Sequence, residues 1–196
     1  MGHINTMTVT VLMGWIAQAA TSGEYNLSVY PTYKVTPVDN ARNEIVREFL
    51  KSDCTHLLWI DSDTVPPADA LTKLLRVNQP VVSALTPIIE HDLNRSNDSN
   101  GFYKKWNAVS KDTGKHVQSH TGVLPVIGAG GSCILVKRAV YEKLKDPWYR
   151  FLYVDDNGKE CFVGEDIQFI AHALQAGFEC YVDTSIVCAH EKSILW

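Results

Sequence analysis

Long apolar runs are missing from this chain: no stretch of its 196 residues approaches the roughly 18 needed to cross a bilayer, which argues against a helical membrane protein. The opening residues carry no basic segment followed by an apolar one, so no secretion signal is read and a cytoplasmic location is expected. Excess positive charge is missing too. Eighteen Lys and Arg against 22 Asp and Glu leave a formal charge of -4, so no global field draws the protein to phosphate polymers. A local patch from Lys104, Lys105, Lys111 and Lys115 stays open. Cysteine is sparse: Cys54, Cys133, Cys161, Cys180 and Cys188 are odd in number, scattered and set in apolar stretches. That excludes a secreted disulfide framework and a C-x-x-C metal knuckle, and leaves buried reduced thiols. Neither a nucleophile elbow of the G-x-S-x-G type nor a Walker loop occurs.

What is present is a composition of 45% hydrophobic and 20% charged residues, that of one globular domain able to bury a layered core without staples. Residues 1–7 are read as a leader and 8–196 as that domain. Thr8 to Met13 is β-branched and apolar, ends at Gly14, and predicts a buried first strand. From Asp39, a helix N-cap in form, Ala41, Ile45, Val46, Phe49 and Leu50 follow helical spacing while Arg42, Glu44, Arg47 and Glu48 take the solvent face. His56 to Ile60 predicts a strand, Pro66-Pro67 open a helix striped by Ala70, Leu71, Leu74 and Leu75, and Pro80 leads into the strand VVSAL.

This alternation of strands and helices predicts an α/β fold on a parallel, doubly wound sheet, whose ligands bind beyond the carboxyl ends of the strands. Residues 90–103, rich in Asn, Asp and Ser, read as a long loop. Short antiparallel pieces follow around Asp112-Thr113-Gly114, then the strand SCILV, a helix near Arg138, a turn at Asp155 to Gly158, and a helix from Glu165 with Gly177 at its end. Closing strands, Phe178 to Val182 and Ile186 to Ala189, leave His190 at their edge.

Three constellations carry chemistry. Asp61-Ser62-Asp63 delivers two carboxylates at the end of an apolar strand, where mutual repulsion favours either a hard divalent cation or capping of the next turn. Gly164-Glu165-Asp166 opens a helix, where acids act as caps, or where one of them serves as general base for a hydroxyl. His190, joined to carboxylates, would make a mixed nitrogen and oxygen site suited to Mn2+ and compatible with Mg2+. Gly128-Ala129-Gly130-Gly131 fits a tight turn or a bare backbone against a bulky ligand.

In this order, the Ala41-Arg42-Asn43 helix, Trp59-Ile60-Asp61-Ser62-Asp63, Gly128 to Ser132, Gly164-Glu165-Asp166 and His190 resemble the GT-A glycosyltransferases, in particular small family-2-like enzymes of phages, viruses and bacteria. The resemblance covers residues 8 to 190 and implies a Rossmann-like, mixed and mostly parallel sheet flanked by helices. It implies Asp63 and His190 as metal ligands, Asp61 on the metal and on the ribose or sugar, and Asp166 as base with inversion. Glu165 would orient acceptor or sugar, and Arg42 would lie near the nucleobase. Met13, Gly14 and Trp15 at the end of the first strand would border that base, with Ser62, Gly130 and Gly131 completing the donor site. Its cofactors would be Mn2+ or Mg2+ and a nucleotide-sugar donor, a UDP-sugar first. Glycans, small molecules and hydroxymethylated bases of phage DNA are the acceptor classes, and a non-catalytic sugar-nucleotide or glycan-binding module is the alternative. Tyr103, Trp106, Trp148, Tyr149 and Phe151 read either as an aromatic acceptor platform or as core.

Overall fold

The computed structural model describes residues 4–30, 36–91, 102–119, 122–156 and 159–191. Two helices come first, α1 (Thr6–Ser22) and α2 (Val38–Lys51). The chain continues through β1 (His56–Ile60), β2 (Thr64–Val65), α3 (Ala70–Val77), β3 (Val81–Leu85), β4 (Pro87–His91), β5 (Phe102–Trp106), β6 (Ala108–Ser110), β7 (Val123–Ala129) and β8 (Cys133–Lys137). It ends through α4 (Arg138–Lys143), β9 (Leu152–Asp156), β10 (Lys159–Val163), α5 (Glu165–Gln175), β11 (Cys180–Val187) and β12 (Ala189–His190).

The expected first strand is a helix. Asn5 caps α1 by accepting from the Met7 N–H at 2.8 Å, and Gly23, at φ 66°, closes it in the left-handed conformation. Thr8 and Trp15 are buried and Val11 and Leu12 pack beside them, a spacing of one helical face. The preference of β-branched residues for strands is weak enough for caps and this packing to override it. Helix α2 starts one residue before the expected cap, with Asp39 in its first turn. Arg42 is not on the solvent face: it is 5% exposed, and Asn43 is buried beside it.

Six strands form the main sheet in the order β1-β8-β3-β11-β7-β6. Strand β8 runs antiparallel to both β1 and β3, β11 runs parallel to β3, and β7 runs antiparallel to both β11 and β6. Strands β1, β3, β11 and β6 therefore share a direction, but among neighbours only β3 and β11 pair in parallel. Parallel alignment is thus achieved largely by direction, with antiparallel β8 and β7 interleaved, rather than by direct pairing.

Alternation along the central strands builds two cores. Val81 and Leu85 with Ile134 and Val136 face Val46, Phe49, Tyr141, Phe169 and Ile170, so α2, α4 and α5 cover that side. Val82, Ala84, Cys133 and Leu135 face Trp15, Leu71 and Leu74, so α1 and α3 cover the other. Helix α5 ends as expected: Phe178 N–H bonds to Ala173 O and Gly177 N–H to Leu174 O, each at 3.0 Å, with Gly177 at φ 90°. Its buried stripe is Gln168, Phe169, Ile170 and Ala173, whereas Ile167 is exposed.

Both flanks of the expected long loop are strands, since β4 and β5 form an antiparallel hairpin; residues 92–101 lie outside the described residues. The acidic turn at 155–158 likewise joins paired strands, β9 and β10, with residues 157 and 158 outside them. Cys54, Cys133, Cys180 and Cys188 are free thiols, the last three buried, and burial pushes Cys180 up to about 12. The side chain of Cys161 lies outside the described residues. No described helix is long and apolar enough to cross a membrane.

Candidate active site

Strand β1 ends at Ile60, and the Asp61 N–H, bonded to Ser132 O at 2.9 Å, carries the ladder one step further before the chain turns. Asp61 and Asp63 therefore emerge at the carboxyl edge of the sheet, where ligands of open α/β sheets bind. The ladder between β12 and β2 sets His190 opposite Thr64, and the Glu191 N–H bonds to Asp63 O at 2.8 Å. Ser62 is exposed, and its carbonyl accepts from the Asn5 N–H at 2.8 Å, so the start of α1 rests on this loop.

His190 is oriented from both ring nitrogens. Nδ1 faces the Pro87 carbonyl at 2.9 Å, an acceptor only, so Nδ1 carries the proton. Nε2 faces Asp63 Oδ2 at 3.1 Å. A neutral ring thus turns a lone pair toward a carboxylate oxygen, an arrangement that needs a cation between the two, either a second proton or a metal. Two adjacent ligands on an octahedral hard cation stand about 3 Å apart, so the pair fits such an ion. Among the described residues no group of three or more His, Cys, Asp or Glu forms a metal cage, so further ligands would come from the bound molecule or water.

Arg42 organises the other half. Its Nη2 donates to Asp61 Oδ1 at 3.2 Å and its Nε to Glu165 Oε1 at 3.0 Å, while its guanidinium lies 5.0 Å from the Trp59 ring centroid and 5.7 Å from that of Tyr149. Burial alone would lower the Arg42 pKa; Asp61, Tyr149 and Glu165 outweigh it and raise the value. Burial lifts the Asp61 carboxyl above its usual range, Arg42 opposes, and Asp63 and Asp166 add to the rise. Burial lifts Glu165 in the same way, with Arg42 opposing and Asp166 adding.

Asp166 joins this cluster through the glycine turn. Its Oδ2 accepts from the Gly131 N–H at 3.0 Å, and its Oδ1 from the Ile167 N–H at 2.7 Å, so it satisfies one N–H of the first turn of α5 and ties that turn to the glycine turn. A Cβ on Gly131 would stand 3.1 Å from Arg42 Nη2 and 3.2 Å from Asp166 Cβ. On Gly130 it would stand 2.8 Å from Asn107 Nδ2. Close approach is therefore what both glycines provide.

Asn107 and Thr86 escape sequence reasoning, being single polar residues in or beside strands. Asn107 is 6% exposed; its Oδ1 accepts from the Thr86 N–H at 2.9 Å, and its own carbonyl accepts from the Gly130 N–H at 2.8 Å. Its Nδ2, packed against Gly130, has no hydrogen-bond partner. Ser132 Oγ donates to Thr86 Oγ1 at 2.7 Å, and Pro87, which holds His190, follows Thr86 directly.

The expected base-binding group does not end a strand. Met13, Gly14 and Trp15 lie within α1; Met13 is exposed, while Trp15 is buried and its Nε1 donates to Ala68 O at 2.6 Å. Arg42, close to the Trp59 and Tyr149 rings and bonded to two carboxylates, holds Asp61 and Glu165. Trp148 and Tyr149 belong to the core, tied to Tyr141 by hydrogen bonds, and are no platform. The lysines do not gather into one patch: Lys104 and Lys105 are consecutive on β5 and so point to opposite faces, Lys104 lies 4.1 Å over Trp106, and Lys111 approaches Glu179 at 4.0 Å.

No protein-family model and no curated protein matches this sequence. Solved structures match its fold. The crystal structure of A197 from STIV superposes with a TM-score of 0.59 at 16% identity, over 98% of this chain and 82% of the other. GalNAc-T7, solved with UDP, GalNAc and Mn2+, superposes with a TM-score of 0.53 at 10% identity over 97% of this chain, which spans 36% of the longer one. The shared architecture, a mixed sheet flanked by helices, is that of the GT-A glycosyltransferase fold.

Proposed function

We propose that this chain is a glycosyltransferase that moves a sugar from a nucleotide-sugar, a UDP-sugar first, to an acceptor hydroxyl, within a single catalytic domain that takes in α1 and its cap Asn5 ahead of the expected boundary at residue 8. The observation that carries the reading is the pair Asp63 Oδ2 and His190 Nε2, 3.1 Å apart with the ring fixed by the Pro87 carbonyl. It stands at the sheet edge of a fold shared with GalNAc-T7, whose structure contains UDP, GalNAc and Mn2+.

Asp63 and His190 would hold Mn2+ or Mg2+. Such an ion supplies charge neutralisation for a departing diphosphate. Asp61, fixed by Arg42, offers its free lone pairs to ribose or sugar hydroxyls. Glu165 keeps Arg42 in place and so acts on Asp61 through it. Asp166 takes the proton of the acceptor hydroxyl: each oxygen already accepts one backbone N–H and retains a further acceptor site. Attack from the side opposite the leaving group inverts the anomeric centre.

Calorimetric titration with UDP-, GDP-, dTDP- and CDP-sugars, with and without Mn2+, followed by product analysis, tests the reading. Metal-dependent binding of one donor with release of nucleoside diphosphate is the expected result. Asp166→Asn should lower turnover about 100- to 10,000-fold while donor affinity is kept. Binding without any turnover would make the protein a sugar-nucleotide-binding module, and no binding at all would return Asp61 and Asp63 to the role of loop caps.

A further inference from the structure

Apart from the site just described, the hairpin of β9 and β10 carries an aromatic face with no place in the core. Phe162 is paired in register with Tyr153, so both side chains leave the same face, and Phe151, two residues before Tyr153, joins them. Phe151 and Phe162 stack at 5.1 Å between centroids, and Tyr153 meets Phe162 edge-on at 5.5 Å. The rings hold one another, yet Tyr153 is 72% and Phe162 58% exposed. By contrast, Trp59, Tyr141, Trp148 and Tyr149 are buried and hydrogen-bonded.

We propose that this face is the acceptor subsite, and that it takes a pyranose ring of a neutral oligosaccharide. The inference rests on the transferase reading for the word acceptor. Three observations point to that occupant. Strand β10 ends at Val163 and passes through Gly164 into Glu165 and Asp166, so the carboxylate assigned to take the acceptor proton follows Phe162 by four residues on the same continuous segment. The exposed apolar residues of α1, Met7, Met13 and Ile16, are not aromatic, whereas this patch consists of rings whose flat sides suit the C–H faces of a sugar while its hydroxyls stay in water. A nucleic acid could also stack here, but the net charge of -4 and the neighbouring acids oppose a polyanion and leave a neutral glycan unopposed.

Saturation-transfer NMR on the full chain tests this, with maltohexaose, cellohexaose and N-acetylchitohexaose as probes and UDP with Mg2+ measured in parallel. Sugar C–H signals are expected from at least one oligosaccharide. Phe162→Ala and Tyr153→Ala should each weaken its affinity about tenfold, and Phe162→Tyr should retain it. UDP signals should be the same in all variants. Silence from all three oligosaccharides, or sugar signals that survive both alanine variants, would overturn the proposal. So would a wild-type dimer in sedimentation that these substitutions dissociate, since the face would then belong to a second copy. Loss of UDP signals in the wild type with ring-dependent sugar signals intact would sink the transferase reading and leave a carbohydrate-binding face.

Discussion

Two carboxylates of one three-residue motif are treated differently. The side chains of Asp61 and Asp63 are each 43% exposed, so exposure does not distinguish them; partners do. Asp61 meets Arg42, a permanent cation buried under Trp59 and Tyr149 and shared with Glu165. Asp63 meets an imidazole whose charge depends on a proton or a metal. Within this D-x-D, one acid is supplied with its counter-charge by the fold, and the other faces a group able to share an incoming cation.

If that division holds, stability and binding should separate. Arg42→Ala leaves Glu165 buried without its counter-ion, and the expected cost is about 3–5 kcal/mol in urea unfolding, against less than about 1 kcal/mol for Asp63→Ala. Equal costs would break the comparison. In binding the order reverses: His190→Ala should weaken Mn2+-dependent UDP affinity about 100-fold by calorimetry, and Glu165→Gln far less. A loss in Glu165→Gln as large as in His190→Ala would show the halves acting as one unit.

Two alanine substitutions at glycine sharpen the picture further. At Gly130 a Cβ would meet Asn107 Nδ2 at 2.8 Å, and Asn107 is anchored to Thr86 and Gly130 by hydrogen bonds, so about 1–3 kcal/mol of stability should be lost in thermal unfolding. At Gly14, in the middle of α1 with nothing within 4 Å of the added atom, alanine should instead stabilise by about 0.5–1 kcal/mol. A loss at Gly14 would speak against the helix.

Much of the fold is legible where the period of the apolar pattern matches the element. Leu71 and Leu74 mark α3, the continuous run HLLWI marks a strand apolar on both sides, and Ile170 and Gly177 mark α5 and its end. Helix α1 is misread because Thr8, Val9, Thr10 and Val11 carry strand propensity, while Asn5 and Gly23, which cap the helix, lie outside the apolar run. Arg42 reads as a surface charge because the partners that admit it to the interior, Asp61 and Glu165, come 19 and 123 residues later. Asn107 has no sequence signal at all. Its importance arises from Gly130 packing against it, a contact that no local pattern encodes.

The D-x-D loop is pinned from remote parts of the chain. Asn5 N–H holds Ser62 O, Glu191 N–H holds Asp63 O, and the side chains of Asn5 and Glu191 bond to each other across 186 positions of sequence. Contacts of such separation form late, because the entropy of closing the chain is lost before they return anything. During synthesis, a nascent chain that has not yet released the segment around His190 carries both acids but not the ring that faces Asp63. On the proposed reading, capture of cation and nucleotide would be timed by the ribosome, beginning only once β12 has reached its place.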